Sequence, residues 1–349
     1  MKNAVKILQI AFTYIGTVVG AGFATGQEIL QFFTRYGKLG ILTILLATVL
    51  FIWLGTKMML LANKIQAVSY EDLNRKLFGE KFGQALSLFT LIVLLGVNSV
   101  MLAGAGSVFN EHLGLNYQIG LWITLISTYL LLGKGISGIM KLNSIVVPMM
   151  ITLSLAIIIN TAGSPGASRF LTMDTDTGLF SAWASPLMYT AFNLSMAQAV
   201  LVPIGSHTRD RRAIVWGGVL GGAGVGFMLM AGHFALSANM PGISQFEIPM
   251  GSIAQQLGSV IQLIYILLIF MEIFSTFVSD IYGVTLQIRQ RINVSPRLLS
   301  VMILCLCYIT SQFGFSTLLS ILYPIFGIFS LLWAAMLATY NSKQISNHK

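Results

Sequence analysis

Six residues near the chain's C-terminal third carry the most chemistry for their setting. Glu272, Ser275, Thr276, Ser279, Asp280 and Gly283 follow one another at spacings of 3, 1, 3, 1 and 3 inside a long apolar run. That spacing places them on one face of a helix. A charged side chain in hydrocarbon costs about 2.5–3.5 kcal/mol even on insertion scales, so the face must turn to a bundle interior or to water. Hard cations prefer oxygen ligands, and this face is rich in oxygen. It therefore reads as an ion or proton path, or as a polar seam that ties neighbouring helices together. The acids Glu272 and Asp280 are candidate proton carriers.

The second concentration lies in the first apolar segment, IGTVVGAGFATGQE, residues 15–28, which holds Gly16, Gly20, Gly22 and Gly26. Each glycine costs a helix roughly 1 kcal/mol relative to alanine. Two readings stay open. Gly16/Gly20 and Gly22/Gly26 are GxxxG pairs that suit close helix packing. Alternatively the helix breaks here, freeing carbonyls for a cation and leaving a half-helix N-terminus that suits a carboxylate. A dinucleotide loop does not fit, because GAGFATG lacks the G-x-G-x-x-G spacing and follows no strand. Glu28 comes a few residues later. It is a proton-carrier candidate if buried and unpaired, and otherwise an ion-pair partner for Arg35 or Lys38, or a cap for the break.

The elements that must position these groups are membrane spans. Hydrophobic residues make up 56% of the chain and charged residues 9%, against roughly 25% charged in soluble domains. Ten apolar segments recur, at about 6–34, 39–62, 82–110, 117–133, 142–160, 180–203, 213–238, 259–288, 297–313 and 315–340. The N-terminal stretch has two lysines before an apolar run, but no small-residue cleavage site, and the pattern continues to Phe33, so it is expected to be the first span. With a cytoplasmic N-terminus, every basic residue except Arg35, Lys38 and Arg169 falls inside, from Lys2 and Lys6 to Lys343 and Lys349. This positive-inside bias supports an even number of spans and cytoplasmic termini, and it disposes of the net charge of +9. No basic cluster is long or interleaved with aromatics, which excludes nucleic-acid binding. The partners expected are the lipid bilayer and a small-molecule substrate.

The loops carry shorter signals. Ser69-Tyr70-Glu71-Asp72 is an S-x-x-D cap that predicts a short helix between spans 2 and 3. PMGSIAQQLG, residues 249–258, is too short to span and predicts a small helix over the mouth of the bundle. The link from Asn160 to Leu179 is the longest. Cys305 and Cys307 are two apart on one helix, do not face each other, and read as small core residues. The glycine-rich seventh segment, GGVLGGAGVGFMLMAGHF, reads as close packing, and its His233 as a hydrogen-bonded or interfacial histidine.

Segment 6, PLMYTAFNLSMAQAVLVPIG, lies between Pro186 and Pro203 with Thr190, Asn193, Ser195 and Gln198 in its middle. Segments 1 and 6 each open a set of five spans. Interrupted segments at matching positions of two halves point to an inverted-repeat transporter, with repeat one at about 6–160 and repeat two at about 180–340 of a single transmembrane domain, 1–349.

GTVVGAGFATGQEILQFF, a second span with Trp53, and YTAFNLSMAQAVLVPIG together resemble the YkvI-type bacterial membrane proteins of the amino acid–polyamine–organocation superfamily. The pattern covers essentially all ten spans; the specific motifs lie in spans 1 and 6. The resemblance implies a LeuT-like, all-α fold of ten transmembrane helices in two inverted five-helix repeats, with helices 1 and 6 discontinuous. It implies substrate at the first break (Val18, Val19, Gly20, Ala21, Gly22) and at the second (Ala191, Phe192, Asn193, Ser195). Tyr189 or Phe192 would cap the site from outside. Asn98 and Ser99 lie on span 3, which lines the site in that fold, although bonding between helices would explain them equally. A sodium site would use the Gly16 and Val19 carbonyls with Ser275 and Thr276, and Glu272 lies one turn away as a further oxygen ligand. The sodium pattern does not require the acids Glu272 and Asp280, so the coupling ion is open between Na+ and H+.

These readings predict an ion-coupled secondary transporter of an amino acid or similar zwitterion in the bacterial cytoplasmic membrane. No cofactor is expected beyond a coupling Na+. The alternative is a non-transporting ligand receptor on the same fold, like the membrane subunits of germinant receptors. Enzymatic function is not expected, since neither a His/Glu metal motif nor GxSxG nor a nucleophile–base set occurs. An open channel suits paired half-helices less well than occlusion does.

Overall fold

The computed structural model describes residues 2–175, 177–246, 248–312 and 315–340. Lys343, Lys349 and Phe313, which belong to the expected inside charges and to the ninth span, lie outside the described residues. The described chain is helical throughout and contains no strand. Its first segment is split into α1 (Lys2–Val18), α2 (Ala21–Thr25) and α3 (Gln27–Phe32). The second consists of α4 (Leu39–Leu50), a π turn at Phe51–Gly55 and α5 (Thr56–Ile65). There follow α6 (Tyr70–Phe78), α7 (Glu80–Ser107), α8 (Tyr117–Leu132), α9 (Gly135–Ala162), the short α10 (Arg169–Thr172) and α11 (Leu179–His207). The remainder is α12 (Arg211–Ala238), α13 (Pro249–Gln255), α14 (Ser259–Arg289), α15 (Pro296–Ser311) and α16 (Phe315–Thr339).

Six of these segments are long and apolar enough to cross a membrane: α4–α5, α7 with its terminal π turn, α9, α11, α12 and α14. Three shorter apolar helices (α8, α15 and Phe329–Thr339) and the divided first segment lie where the other four spans are expected. The predicted short helices are both present. Ser69 caps α6 in a capping box with Asp72, and α13 starts with Pro249 at its first turn. Cys307 is buried, but Cys305 is exposed on the outer face of α15. The core expectation therefore fails for Cys305, because positions two apart on a helix cannot both face inward.

The glycines of α12 decide how the bundle closes. Side chains added at Gly217, Gly221 and Gly224 would strike Ile10, Tyr14 and Ile15 of α1. Side chains at Gly218, Gly222 and Gly226 would strike Thr56, Ile52 and Thr48 on α4–α5. Two glycine stripes on one helix thus let α12 lie close against α1 and the second span at once. The π turn begins at Phe51, whose carbonyl accepts from the buried Tyr14 hydroxyl at 2.6 Å. The helix α11 is the most enclosed of the six long segments. The long link after α9 folds back on the turn beyond α3: Lys38 donates its backbone N–H to Met173 O at 2.8 Å and pairs with Asp174 at 2.7 Å.

Candidate functional site

The first segment breaks where its glycines cluster. The helix α1 ends at Val18, Gly20 is extended (φ −114°, ψ −167°), and α2 restarts at Ala21 with no side chain capping its N-terminus. A second interruption follows at Gly26, whose φ of +89° lies in the left-handed region that glycine alone enters at little cost. The break leaves the carbonyls of Gly16 and Val19 facing α14. The Thr276 hydroxyl lies 3.3 Å from the first and 3.0 Å from the second. The hydroxyl donates a hydrogen bond to these carbonyls, and oxygen ligands of one hard cation stand roughly 3.4 Å apart around it, so the hydroxyl is near enough to each carbonyl to share a cation with it. Ser275 is turned differently, donating at 3.2 Å to the Glu272 carbonyl of its own helix.

The whole oxygen stripe of α14 is buried. Glu272, Ser275 and Ser279 are wholly inaccessible, and Thr276 and Asp280 nearly so. Neither carboxylate oxygen of Glu272 has a hydrogen-bond partner among the described residues, nor does Asp280 Oδ2. Thr276 lies one turn from each acid. Tyr265, two turns before Glu272, reaches from α14 to the break as well, donating at 2.8 Å to Ala24 O. Beside it a cavity of about 20 Å³ is lined by Phe23, Ala24, Ile29, Met250 and Tyr265, among others, room for a single water.

The expected second break is not there. The helix α11 runs unbroken from Leu179 to His207, through both Pro186 and Pro203. The reason is compositional: between the two prolines this segment has no glycine, so no residue leaves the helical region cheaply, whereas segment 1 has Gly20 at its break. The polar side chains close on their own helix instead. Asn193 Nδ2 donates to Tyr189 O at 3.0 Å, Ser195 Oγ to Phe192 O at 2.8 Å and Gln198 Nε2 to Ser195 O at 2.7 Å. Such back-bonding is compatible with an intact helix. Ser195 also meets Ser330 of α16 at 2.9 Å. Tyr189 is wholly buried, with its ring 5.2, 5.1 and 6.1 Å from those of Phe32, Phe33 and Phe51. This aromatic cluster sits past the break, where α3 ends. Ala191 and Phe192 are buried on the same helix.

The remaining candidates fall around this centre. Val18 and Val19 are buried at the break. A side chain on Gly20 would approach Met101 Cε at 3.2 Å and Thr276 Cγ2 at 3.9 Å, so the break faces α7 and α14. Ala21 and Gly22 form the first turn of α2. The carboxyl of Glu28 folds over Gly22, where an added Cβ would lie 2.7 Å from its Cγ. Lys38 pairs with Asp174, and Arg35 lies over the Tyr36 ring. Asn98 is wholly buried on α7 and donates to Leu94 O at 2.7 Å; its Oδ1 has no partner among the described residues. Ser99 bonds Thr310 of α15. His233 is buried with Nδ1 3.1 Å from Thr34 Oγ1 and 3.2 Å from Ser237 Oγ, a hydrogen-bonded histidine away from the break. Sequence reasoning missed Asn143 of α9, which packs against Gly16. A single amide near the start of a long apolar run was its only signal.

No family model matches the chain. Two Bacillus subtilis (strain 168) proteins do. The membrane protein YkvI is 38% identical over 332 residues, covering 94% of each chain. The protein YyaD is 26% identical over 327 residues, covering 93% of this chain and 94% of its own. Among solved structures, MhsT in complex with L-phenylalanine superposes with a TM-score of 0.72 at 18% identity, covering 95% of this chain and 88% of that one.

Proposed function

The chain belongs to the YkvI-type family of bacterial membrane proteins, with a LeuT-like fold, and we propose that it is an ion-coupled secondary transporter of an amino acid or similar zwitterion. One observation carries the reading: the Thr276 hydroxyl reaches both the Gly16 and the Val19 carbonyl at the first of the two places where the first segment leaves the helix. A carbonyl–hydroxyl cluster buried at a helix break binds a small cation, and the restarted helix beside it binds an anion.

In this reading the coupling cation is held by Gly16 O, Val19 O and Thr276 Oγ1, with Ser275 rotating inward to join them. The substrate carboxylate meets the amides at the start of α2 from the side of Gly20, which presents no side chain to obstruct it, the Glu28 carboxyl covering Gly22. Because α11 is an intact helix, its part is played by side chains, Asn193 and Ser195, with Asn98 facing from α7. Tyr189 and Phe192 form the aromatic cover. The ten spans act as two inverted repeats with both termini in the cytoplasm, in the bacterial cytoplasmic membrane. Glu272, Asp280 and Glu28 are the residues through which protons would be coupled if protons rather than Na+ drive uptake.

The fold shared with a phenylalanine-bound protein makes L-phenylalanine the first probe. Proteoliposomes carrying an inward Na+ or proton gradient should accumulate it, or another member of a broad amino-acid panel, above the level reached without a gradient. Saturable binding without counterflow would assign the chain instead as a ligand receptor. If no amino acid binds or moves, the substrate class is wrong.

A further inference from the structure

We infer that Asn143 of α9 is a ligand of the cation held at the break, supplying its amide oxygen from a third helix. The inference rests on the cation reading above and adds a residue and a helix to it.

Asn143 is wholly buried, and neither its Oδ1 nor its Nδ2 has a hydrogen-bond partner among the described residues. A primary amide offers two donors and two lone pairs, and each buried group left unmade costs about 1–3 kcal/mol. The chain has a standard way to avoid that cost. Asn98, Asn193 and Asn239 each donate Nδ2 to the carbonyl four residues back, at 2.7, 3.0 and 2.9 Å. The neighbouring hydroxyls of α9 do likewise, Ser144 to Met140 O at 2.6 Å and Thr152 to Pro148 O at 2.8 Å. Asn143 does not. Its side chain leaves its own helix and points at α1.

The place it points to is Gly16. A Cβ built there would strike Asn143 Oδ1 and lie 2.7 Å from Cγ. Gly16 is thus a glycine for a local reason: any side chain would displace this amide. The carbonyl of the same residue is the one 3.3 Å from Thr276 Oγ1. The other group pressing on Gly16 is Val147 Cγ2, at 3.1 Å, which is apolar and satisfies nothing. An uncharged oxygen held against the very residue whose carbonyl belongs to an oxygen cluster is of the ligand type that a hard cation takes. Glu272 lies one turn from Thr276 on the same buried face of α14 and offers further oxygens. The site then joins α1, α9 and α14.

The test uses purified full-length protein in detergent, its unfolding midpoint followed through a NaCl titration at constant ionic strength against choline chloride. The wild type should be stabilised saturably by Na+, and Thr276→Ala should lose that response. Asn143→Leu should raise the half-saturating Na+ concentration at least tenfold. Asn143→Asp, which keeps shape and polarity should the leucine variant fold poorly, should lower it and make it pH-dependent between about pH 5 and 8. If Thr276→Ala loses the Na+ response while both Asn143 variants titrate like the wild type, Asn143 is no ligand and the inference falls alone. If the wild type shows no Na+ response at all, the cation reading falls and takes the inference with it.

Discussion

The Thr276 hydroxyl of α14 stands 3.0 Å from the Val19 carbonyl, the residue at which the first membrane segment leaves its helix. That contact joins the two least ordinary features of the chain, an oxygen-bearing helix face and a glycine-rich interruption more than 250 positions earlier.

Removing the hydroxyl should therefore weaken cation binding. A hydrogen-bonding group acting on a charge is worth about 1.5–3 kcal/mol, so Thr276→Ala should weaken Na+ activation of amino-acid uptake roughly 10- to 100-fold. Ser275→Ala should do less, since its hydroxyl is spent on the Glu272 carbonyl, and the double variant should abolish Na+ dependence. Uptake with unchanged Na+ dependence in the double variant would move the cation site elsewhere.

Glu272 is the carboxylate one turn from that contact, buried with both oxygens unpartnered among the described residues. If protons are coupled through it, uptake responds to external pH, and Glu272→Gln should flatten the profile between about pH 5 and 8 at saturating Na+. Asp280→Asn serves as the comparison, one turn to the other side of Thr276. A wild-type profile in Glu272→Gln would leave that residue a structural role.

The aromatic cover gives a prediction that separates packing from polarity. Tyr189 sits among Phe32, Phe33 and Phe51. Tyr189→Ala empties a large buried volume, at a cost of about 3–5 kcal/mol, and should both lower the unfolding midpoint and abolish substrate retention. Tyr189→Phe preserves the ring contacts and should keep the midpoint within a few degrees. Equal loss in both variants would make the hydroxyl, rather than the ring, the functional part.

How far the sequence disclosed this site depends on which residue is asked. The break at Gly20 was legible because four glycines crowd one apolar segment, and its backbone restarts at Ala21. The α14 stripe was legible from its 3-and-4 spacing alone, and it is buried as that spacing requires. The α11 interruption was misjudged because two prolines at its ends suggested a break that no interior glycine permits. The pairing of Thr276 with Gly16 and Val19 came from family resemblance and not from pattern, since nothing in a spacing fixes the register between helices so far apart in the chain. Asn143 was invisible for the same reason, because its meaning lies in an absent bond to its own helix and a contact with another.

The last prediction concerns the device that ties α6 to the end of α14. Arg291 donates to Glu71 through Nε at 3.0 Å and Nη2 at 2.9 Å, and Gln287 adds a contact at 3.4 Å. Gln290 accepts from Ser69 at 2.7 Å and donates to Asp72 at 2.7 Å, while Asn74 joins Ser87 of α7 and Trp333 of α16, both at 3.1 Å. Glu71 is buried but Arg291 is partly exposed, so solvent screens the pair and its rupture should cost on the order of 1–3 kcal/mol. Arg291→Met leaves the Glu71 carboxylate buried beside Gln287 alone. It should raise amide exchange across residues 69–78 while leaving exchange in α9 unchanged. Glu71→Gln with Arg291→Met should be less destabilised than the sum of the single variants, because neither then strands a charge. Additive effects, or exchange that does not change at α6, would show that Asn74 and the capping box hold this helix without the ion pair.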